Sequence, residues 1–203
     1  MAHFDEIIPF FLKWEAGLGK HALTLPLEQM FEEARKTGYG NDPDDRGGAT
    51  LCGVILTTYR AYCKNKGLPQ PGIKDLKAMP FAHWREIAKT MFWDRWQADE
   101  IASQPVANIL VDWVWASGQH GITIPQKLLG VKADGTVGPK TLAALNARES
   151  RALFEQLRQA RLRYIDLICA RRPANNKFRR GWLNRLNAIT YEGLVLRVPD
   201  YSC

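Results

Sequence analysis

PVANILVDWVWASG, residues 105–118, is the stretch on which the fold turns. Val106, Leu110 and Trp113 recur at four- and three-residue spacing, which places them on one face of a helix, and Gly118 supplies the stop. A run this apolar belongs at the centre of a core. Asp112 sits within it, and a polar group on a buried helix needs a partner, so it is expected to brace the fold instead of reacting.

Towards the N-terminus the helical period continues. Ala82 to Trp96 carries Trp84, Ile87, Ala88, Met91 and Phe92 at helical spacing, and Asp75 to Met79 fits a short helix beyond the turn at Gly67 to Gly72. Thr50 to Tyr62 reads as helical through Val54, Ile55, Thr58, Tyr59 and Tyr62, with a start near Thr57. Residues 39–53, YGNDPDDRGGATLCG, break the pattern with Pro, paired Gly and turn-forming polar residues, and predict a tight loop or short hairpin. Residues 21–36 predict a short second helical element. The first helix runs through Phe4, Ile7, Ile8, Phe11 and Leu12, with Pro9 in its first turn or at a kink and Gly17 and Gly19 as its stop.

Towards the C-terminus, Ile124 to Leu129 is a helical piece, KADGTVG at Lys132 to Gly138 a turn, and Pro139 opens a helix through Leu142 and Leu145. Arg151 to Ala170 makes the longest helix, with Leu153, Leu157, Tyr164, Leu167 and Ile168 inward, and Gly181 to Tyr191 supplies the last. Nothing alternates on a βαβ scale. The predicted fold is therefore mostly α, with a small polar hairpin after the first helix. A compositional shift at Gly118 to Gly121 offers a lobe boundary, although the apolar helices on both sides argue for a shared core.

A chain of 203 residues, 46% apolar and 24% charged, suits one domain with a real core and excludes a disordered tail or a metal-stapled module. No run reaches the roughly 20 apolar residues needed to cross a bilayer, and the first residues lack a signal-peptide pattern. Cys52, Cys63, Cys169 and Cys203 form no CxxC pair; Cys52 and Cys63 could share a helical face, and all read mainly as buried thiols of a reducing compartment. The formal charge of +7 favours polyanionic partners without choosing among them, and the basic stretch from Arg171 through Arg185 reads as a solvated face. His3, His21, His83 and His120 show no metal-ligand spacing, and no nucleotide-binding glycine loop is present, so no metal or cofactor is expected.

Glu15 is the sharpest chemical candidate. It lies four residues after Phe11 and three after Leu12, so it continues the apolar stripe of the first helix. A carboxyl group at such a surface suits the general acid that protonates a glycosidic oxygen. Trp14 would line the same site and Tyr39 is a second aromatic for holding substrate. Asn41, Asp42, Asp44, Asp45 and Thr50 gather carboxylates and a hydroxyl in the following loop, from which a glycosidase draws the group that activates water or steadies its cationic transition state. Asp45, Asp42 and Thr50 are the catalytic candidates there. Arg46 and Gly53 stand where a calcium loop of this register wants ligands, and Asx turns that satisfy the hairpin backbone are the alternative reading, favoured for Asp42 and Asp44.

Six ordered blocks then carry a resemblance: WEAG at 14–17, NDPDDRGGAT at 41–50, FWDRW at 92–96, ILVDWVWASG at 109–118, LLGVKADGTVGPKTLAALN at 128–146 and GWLNRLN at 181–187. Together they resemble the glycoside hydrolase family 108 lysozymes, bacterial and phage N-acetylmuramidases also labelled secretion-activating proteins. The likeness spans nearly the whole chain, and Val131 to Leu145 is similar to that family's predicted peptidoglycan-binding region. It implies a lysozyme-like helical fold with a catalytic glutamate closing the first helix in an EGG motif, whose Glu falls on Glu15 and whose second Gly falls on Gly17. Ala16 replaces the first Gly, about twenty residues are inserted between Gly17 and Tyr39, and Leu51 stands where Asn is usual.

The resemblance implies one lysozyme-like unit over 1–203, with a catalytic lobe at 1–105 and a helical lobe at 106–190. Hydrolysis of the β-1,4 bond between N-acetylmuramic acid and N-acetylglucosamine is the expected activity. A lytic transglycosylase giving 1,6-anhydro products and a non-catalytic wall-binding or secretion-associated protein are the alternatives. Nucleic acid ranks below them, because the helix after KADGTVG is mostly small and apolar and offers little for base readout. Peptidoglycan is the expected partner, without stable membrane insertion, for a monomer made in the bacterial cytoplasm without a signal peptide. It would act in the periplasm or at the wall, after pore-dependent release.

Overall fold

A computed structural model describes residues 1–41 and 48–196. Among these residues the chain is mostly helical, with one three-stranded and one two-stranded antiparallel sheet. The described residues divide into two compact units, one of residues 5–41 and 48–90 with 196 and the other of residues 1–4 with 91–195.

The first unit begins with α1 (Ile8–Ala16), which has Pro9 in its first turn, where a missing N–H costs nothing. Ile8, Phe10, Phe11 and Leu12 are buried, and Gly17 ends the helix in a left-handed conformation with its N–H on the Lys13 carbonyl at 2.9 Å. Next comes α2 (Leu27–Thr37), which packs on α1 and buries Met30, Phe31 and Ala34. The strands β1 (Tyr39–Gly40), β2 (Thr50–Leu51) and β3 (Val54–Ile55) form a sheet in that order, with Tyr39 opposite Leu51 and Leu51 opposite Val54. Helices α3 (Leu56–Asn65), α4 (Ile73–Lys77) and α5 (Phe81–Ala88) complete the unit.

Val54 and Ile55, counted in the helical period of Thr50 to Tyr62, form a strand, and α3 opens at Leu56, next to the start expected near Thr57. The two residues between β2 and β3, Cys52 and Gly53, both have positive φ, +46° and +81°, which gives the tight hairpin turn whose twist matches antiparallel strands. Cysteine is an uncommon residue for that conformation, so the turn carries little sequence signal. Cys52 therefore lies in a turn and Cys63 in α3, not on one helical face; both are buried free thiols, as is Cys169. Cys203 lies outside the described residues.

The helix expected from Ala82 to Trp96 is broken in three. After α5 the winding widens to a π turn at Lys89–Trp93, then tightens to a 3-10 turn at Asp94–Trp96, and Gln97 follows at φ +47°. Such changes of winding rotate successive side chains away from a single stripe. Trp93 and Trp96 are both fully buried as a result, with their indole N–H groups on Asp99 Oδ1 at 2.8 Å and the Gly121 carbonyl at 3.2 Å.

The second unit is built on α6 (Gln104–Ser117), which is buried from Val106 to Val114 as its apolar run predicts. It packs on α7 (His120–Leu129) at a spot with no space for a side chain: a Cβ on Gly121 would lie 2.5 Å from the Val114 nitrogen. Helix α7 also carries the buried Gln126, which holds the turn before α8 (Pro139–Asn146) by accepting from Gly135 N and donating to the Thr136 carbonyl, both at 2.9 Å. Helices α9 (Ser150–Arg171) and α10 (Asn176–Asn187) pack on each other, and a two-residue hairpin of β4 (Ile189–Thr190) and β5 (Gly193–Leu194) follows. Leu167, expected inward, is 45% exposed, and Ile165 is buried in its place. Arg185 departs from the solvated basic face, with its side chain 13% exposed and paired with Asp112.

Candidate active site

Glu15 sits at the C-terminal end of α1, half-buried, one residue before the helix closes. The left-handed residue of the closing turn is Gly17, whereas Ala16 is helical. Loss of the first glycine of the motif is therefore conformationally neutral in this chain.

Three contacts tie this helix end to the sheet. Thr37 Oγ1 donates to the Ala16 carbonyl at 2.8 Å, and Cys52 N donates to the Gly38 carbonyl at 2.8 Å. Gly38 has no room for a side chain, because a Cβ there would lie 2.6 Å from Cys52 Sγ, 2.8 Å from the Ala34 carbonyl oxygen and 3.1 Å from Ala16 Cβ. The ends of α1 and α2 and the β2–β3 turn thus meet at one glycine. The roughly twenty inserted residues leave and return at neighbouring points, and they do not bulge away from the core: Phe31 packs on Trp84 and Phe81 with ring centroids 5.5 and 5.6 Å away. Leu51 is fully buried, which accounts for an apolar residue at that position.

The Glu15 charge reaches the turn. Burial pushes the Cys52 thiol up to about 12, the Glu15 carboxylate adds to the rise and Arg35 opposes it. Trp84 fixes the same turn from beneath, with its indole N–H donating to the Cys52 carbonyl at 3.0 Å. Sequence reasoning missed Cys52 and Gly38 as organisers of the site; the Cys-Gly pair between two short apolar stretches was the available signal.

The two aromatic candidates lie on either flank of this junction in sequence. Trp14 stacks at an angle on Phe10, 6.0 Å between ring centroids, and its Nε1 is buried without a hydrogen bond. Tyr39 begins β1 and carries Lys77 Nζ over its ring at 4.1 Å from the centroid. Thr50, half-buried in β2, pairs with Gly40 and Ile55. Asp42 and Asp45, the candidates to assist Glu15, lie outside the described residues, as does Asp44. Among the described residues no group of three or more His, Cys, Asp or Glu could hold a metal, and no helix is long and apolar enough to cross a membrane.

Asp112 in the other unit is a structural carboxylate. Arg161 Nη2 donates to its Oδ2 at 2.7 Å and Arg185 Nε to its Oδ1 at 2.9 Å. Burial opposes its charge, but the two guanidiniums outweigh burial and hold its carboxyl below the usual range.

Residues 32–118 match the family model described as Glycosyl hydrolase 108, and residues 120–187 match the one described as Predicted Peptidoglycan domain. The first match begins within α2, so it contains Tyr39, Asp42, Asp45 and Thr50, while Trp14 and Glu15 precede it. Among solved structures, "Structure of Brucella abortus SagA" aligns with a TM-score of 0.69 over 92% of this chain and 90% of that chain, at 24% identity, a likeness of fold. No curated protein matches the chain.

Proposed function

The chain is a glycosyl hydrolase 108 protein carrying a predicted peptidoglycan domain, a glycoside hydrolase that acts on peptidoglycan, and from that premise we propose that it is an N-acetylmuramidase with Glu15 as its general acid. The bond cut is the β-1,4 linkage between N-acetylmuramic acid and N-acetylglucosamine. The observation that carries this reading is the junction at Gly38, which places the Glu15 end of α1 against the turn of the sheet that contains Thr50.

Glu15 protonates the leaving glycosidic oxygen as the bond lengthens. Asp45 or Asp42, with Thr50, orients the attacking water or steadies the oxocarbenium-like transition state. Trp14 and Tyr39 present ring faces to the sugars. We place the enzyme as a monomer made in the bacterial cytoplasm and acting in the periplasm or at the wall, as an endolysin does.

The test is digestion of purified peptidoglycan with mass analysis of the fragments. New reducing ends on N-acetylmuramic acid are expected. Products one water lighter would convert the reading to a lytic transglycosylase, and no cleavage by folded protein between pH 4 and 8 would reject glycan cutting altogether.

A further inference from the structure

Helices α9 and α10 pack on each other and are joined by a short 3-10 turn at Pro173–Asn175. The joined end stands in solvent: every residue from Ala170 to Gly181 is exposed except Asn175. Leu186, Trp182 and Phe178 recur every four residues on α10, so they lie along one face of it. Leu186 is fully buried, Trp182 half-buried and Phe178 49% exposed. The apolar stripe that seats the helix on its core therefore continues past the edge of that core. Phe178 leans on Trp182, with ring centroids 5.8 Å apart.

The same end carries Arg171, Arg172, Lys177, Arg179 and Arg180, with no acidic residue between Asp166 and Glu192. Asp166 Oδ1 accepts from Arg179 Nη2 at 2.8 Å. Among the described residues no carboxylate pairs with the other four cations. Solvation alone explains a charge run with nothing apolar beside it. Here a phenyl ring and part of an indole share the surface with the guanidiniums, and a polyanion in water would meet the charges but leave the rings wet. A stacked sugar or base needs the ring face, and Lys177 Nζ lies over that of Phe178, 4.8 Å from the centroid. The interface of an anionic bilayer meets both demands. Its phosphates accept from guanidinium forks, and aromatic side chains enter the zone between headgroups and acyl chains.

We infer that the exposed end of α9 and α10 is a docking surface for an anionic lipid bilayer. Phe178 and Trp182 reach headgroup depth, while Arg171, Arg172, Lys177 and Arg180 hold lipid phosphates. The contact is peripheral and needs no spanning helix. It uses neither Glu15 nor the glycan, and it would keep a hydrolase on the wall that lies beside a membrane.

The test is cosedimentation of the full chain with vesicles of mixed phosphatidylglycerol and phosphatidylcholine, and of phosphatidylcholine alone. Binding is expected to the mixed vesicles and to weaken with salt. Arg171→Gln with Arg172→Gln should weaken it about 30-fold, and Phe178→Ser about tenfold, with circular dichroism and cleavage of lipid-free peptidoglycan unchanged. Brominated acyl chains should quench fluorescence in the parent and not in Trp182→Phe. Equal binding to both vesicles, or full binding by Phe178→Ser, would overturn the lipid assignment. So would a purified peptidoglycan pull-down that Phe178→Ser abolishes, which transfers the surface to the wall, or binding of polynucleotide without vesicles. If no vesicle binds while peptidoglycan is still cleaved, this inference fails and the proposed function stands. Vesicle binding without glycan cleavage is the reverse result: the surface stands and the enzymatic reading fails.

Discussion

Arg161 Nη2 lies 2.7 Å from Asp112 Oδ2, and the two side chains are 4% and 0% exposed. An ion pair so placed is expensive to break from one side, because the surviving charge keeps the burial cost and loses its partner.

Asp112→Asn should therefore cost about 3–5 kcal/mol of stability at neutral pH. Its carboxyl is held below the ordinary range in the folded protein, against about 3.9 when unfolded, so its contribution is present above that unfolded value and is lost as pH falls through the folded one. Urea titrations from pH 7 to 2 should show the gap between parent and variant narrowing on the acid side. A gap that is constant with pH would contradict the assignment.

Glu15→Gln keeps size and helix propensity but removes the transferable proton, so turnover on purified peptidoglycan should fall by about 100-fold or more with the fold unchanged by circular dichroism. Asp45→Asn should cost less where Asp42 and Thr50 still hold water. Retention of more than a tenth of activity in folded Glu15→Gln would reject the general acid.

Gly38→Ala should destabilise the protein by about 1–3 kcal/mol, since the new methyl meets Cys52 Sγ and the Ala34 carbonyl oxygen inside ordinary contact distance. Adding Cys52→Ala removes the sulfur contact and should restore part of the loss; the carbonyl contact remains. Activity measured well below the melting temperature should fall in the single variant beyond the fraction unfolded, because the methyl separates the Glu15 helix from the turn.

Burial raises Cys52 from 9.0 to about 12, and raises Tyr59 and Tyr62 from 10.0 to about 12. A folded value above the unfolded one means stability that is complete below the unfolded value and is lost as pH climbs towards the folded one. Denaturation midpoints should thus decline between pH 9 and 12, less steeply in Cys52→Ala. Because the Glu15 charge adds to the rise at Cys52, Glu15→Gln should lower the pH at which thiolate absorbance from Cys52 develops. No change in that pH would place the carboxylate out of reach of the turn.

The helices were legible wherever one apolar stripe settled the matter. The α6 stripe needed only its own spacing, and Glu15 stood out because a carboxylate interrupted a stripe. Strands of two residues have no periodicity to read, so Val54 and Ile55 blended into the helical period of the residues that follow them. Local pattern was equally silent at Trp93 and Trp96, where tertiary demand for two buried indoles overrode a straight helix. Arg185 lay in a run of like charges and gave no hint of a partner 73 positions away. Gly38 mattered through three neighbours distant in sequence, a property that no single stretch of chain displays.

The Thr37 to Ala16 contact gives residues 17–36 the geometry of a closed excursion, a path that returns to its own starting point. With its two ends in contact, chain connectivity alone would permit its excision. It is forbidden by what the excursion has become: Phe31 caps Trp84, the indole that holds the Cys52 turn. A shortened chain would close its ends and leave uncovered the indole beneath the Cys52 turn. Extra sequence of this kind is structurally irreversible once the core has grown around it, and any relative lacking it must cover that indole by other means.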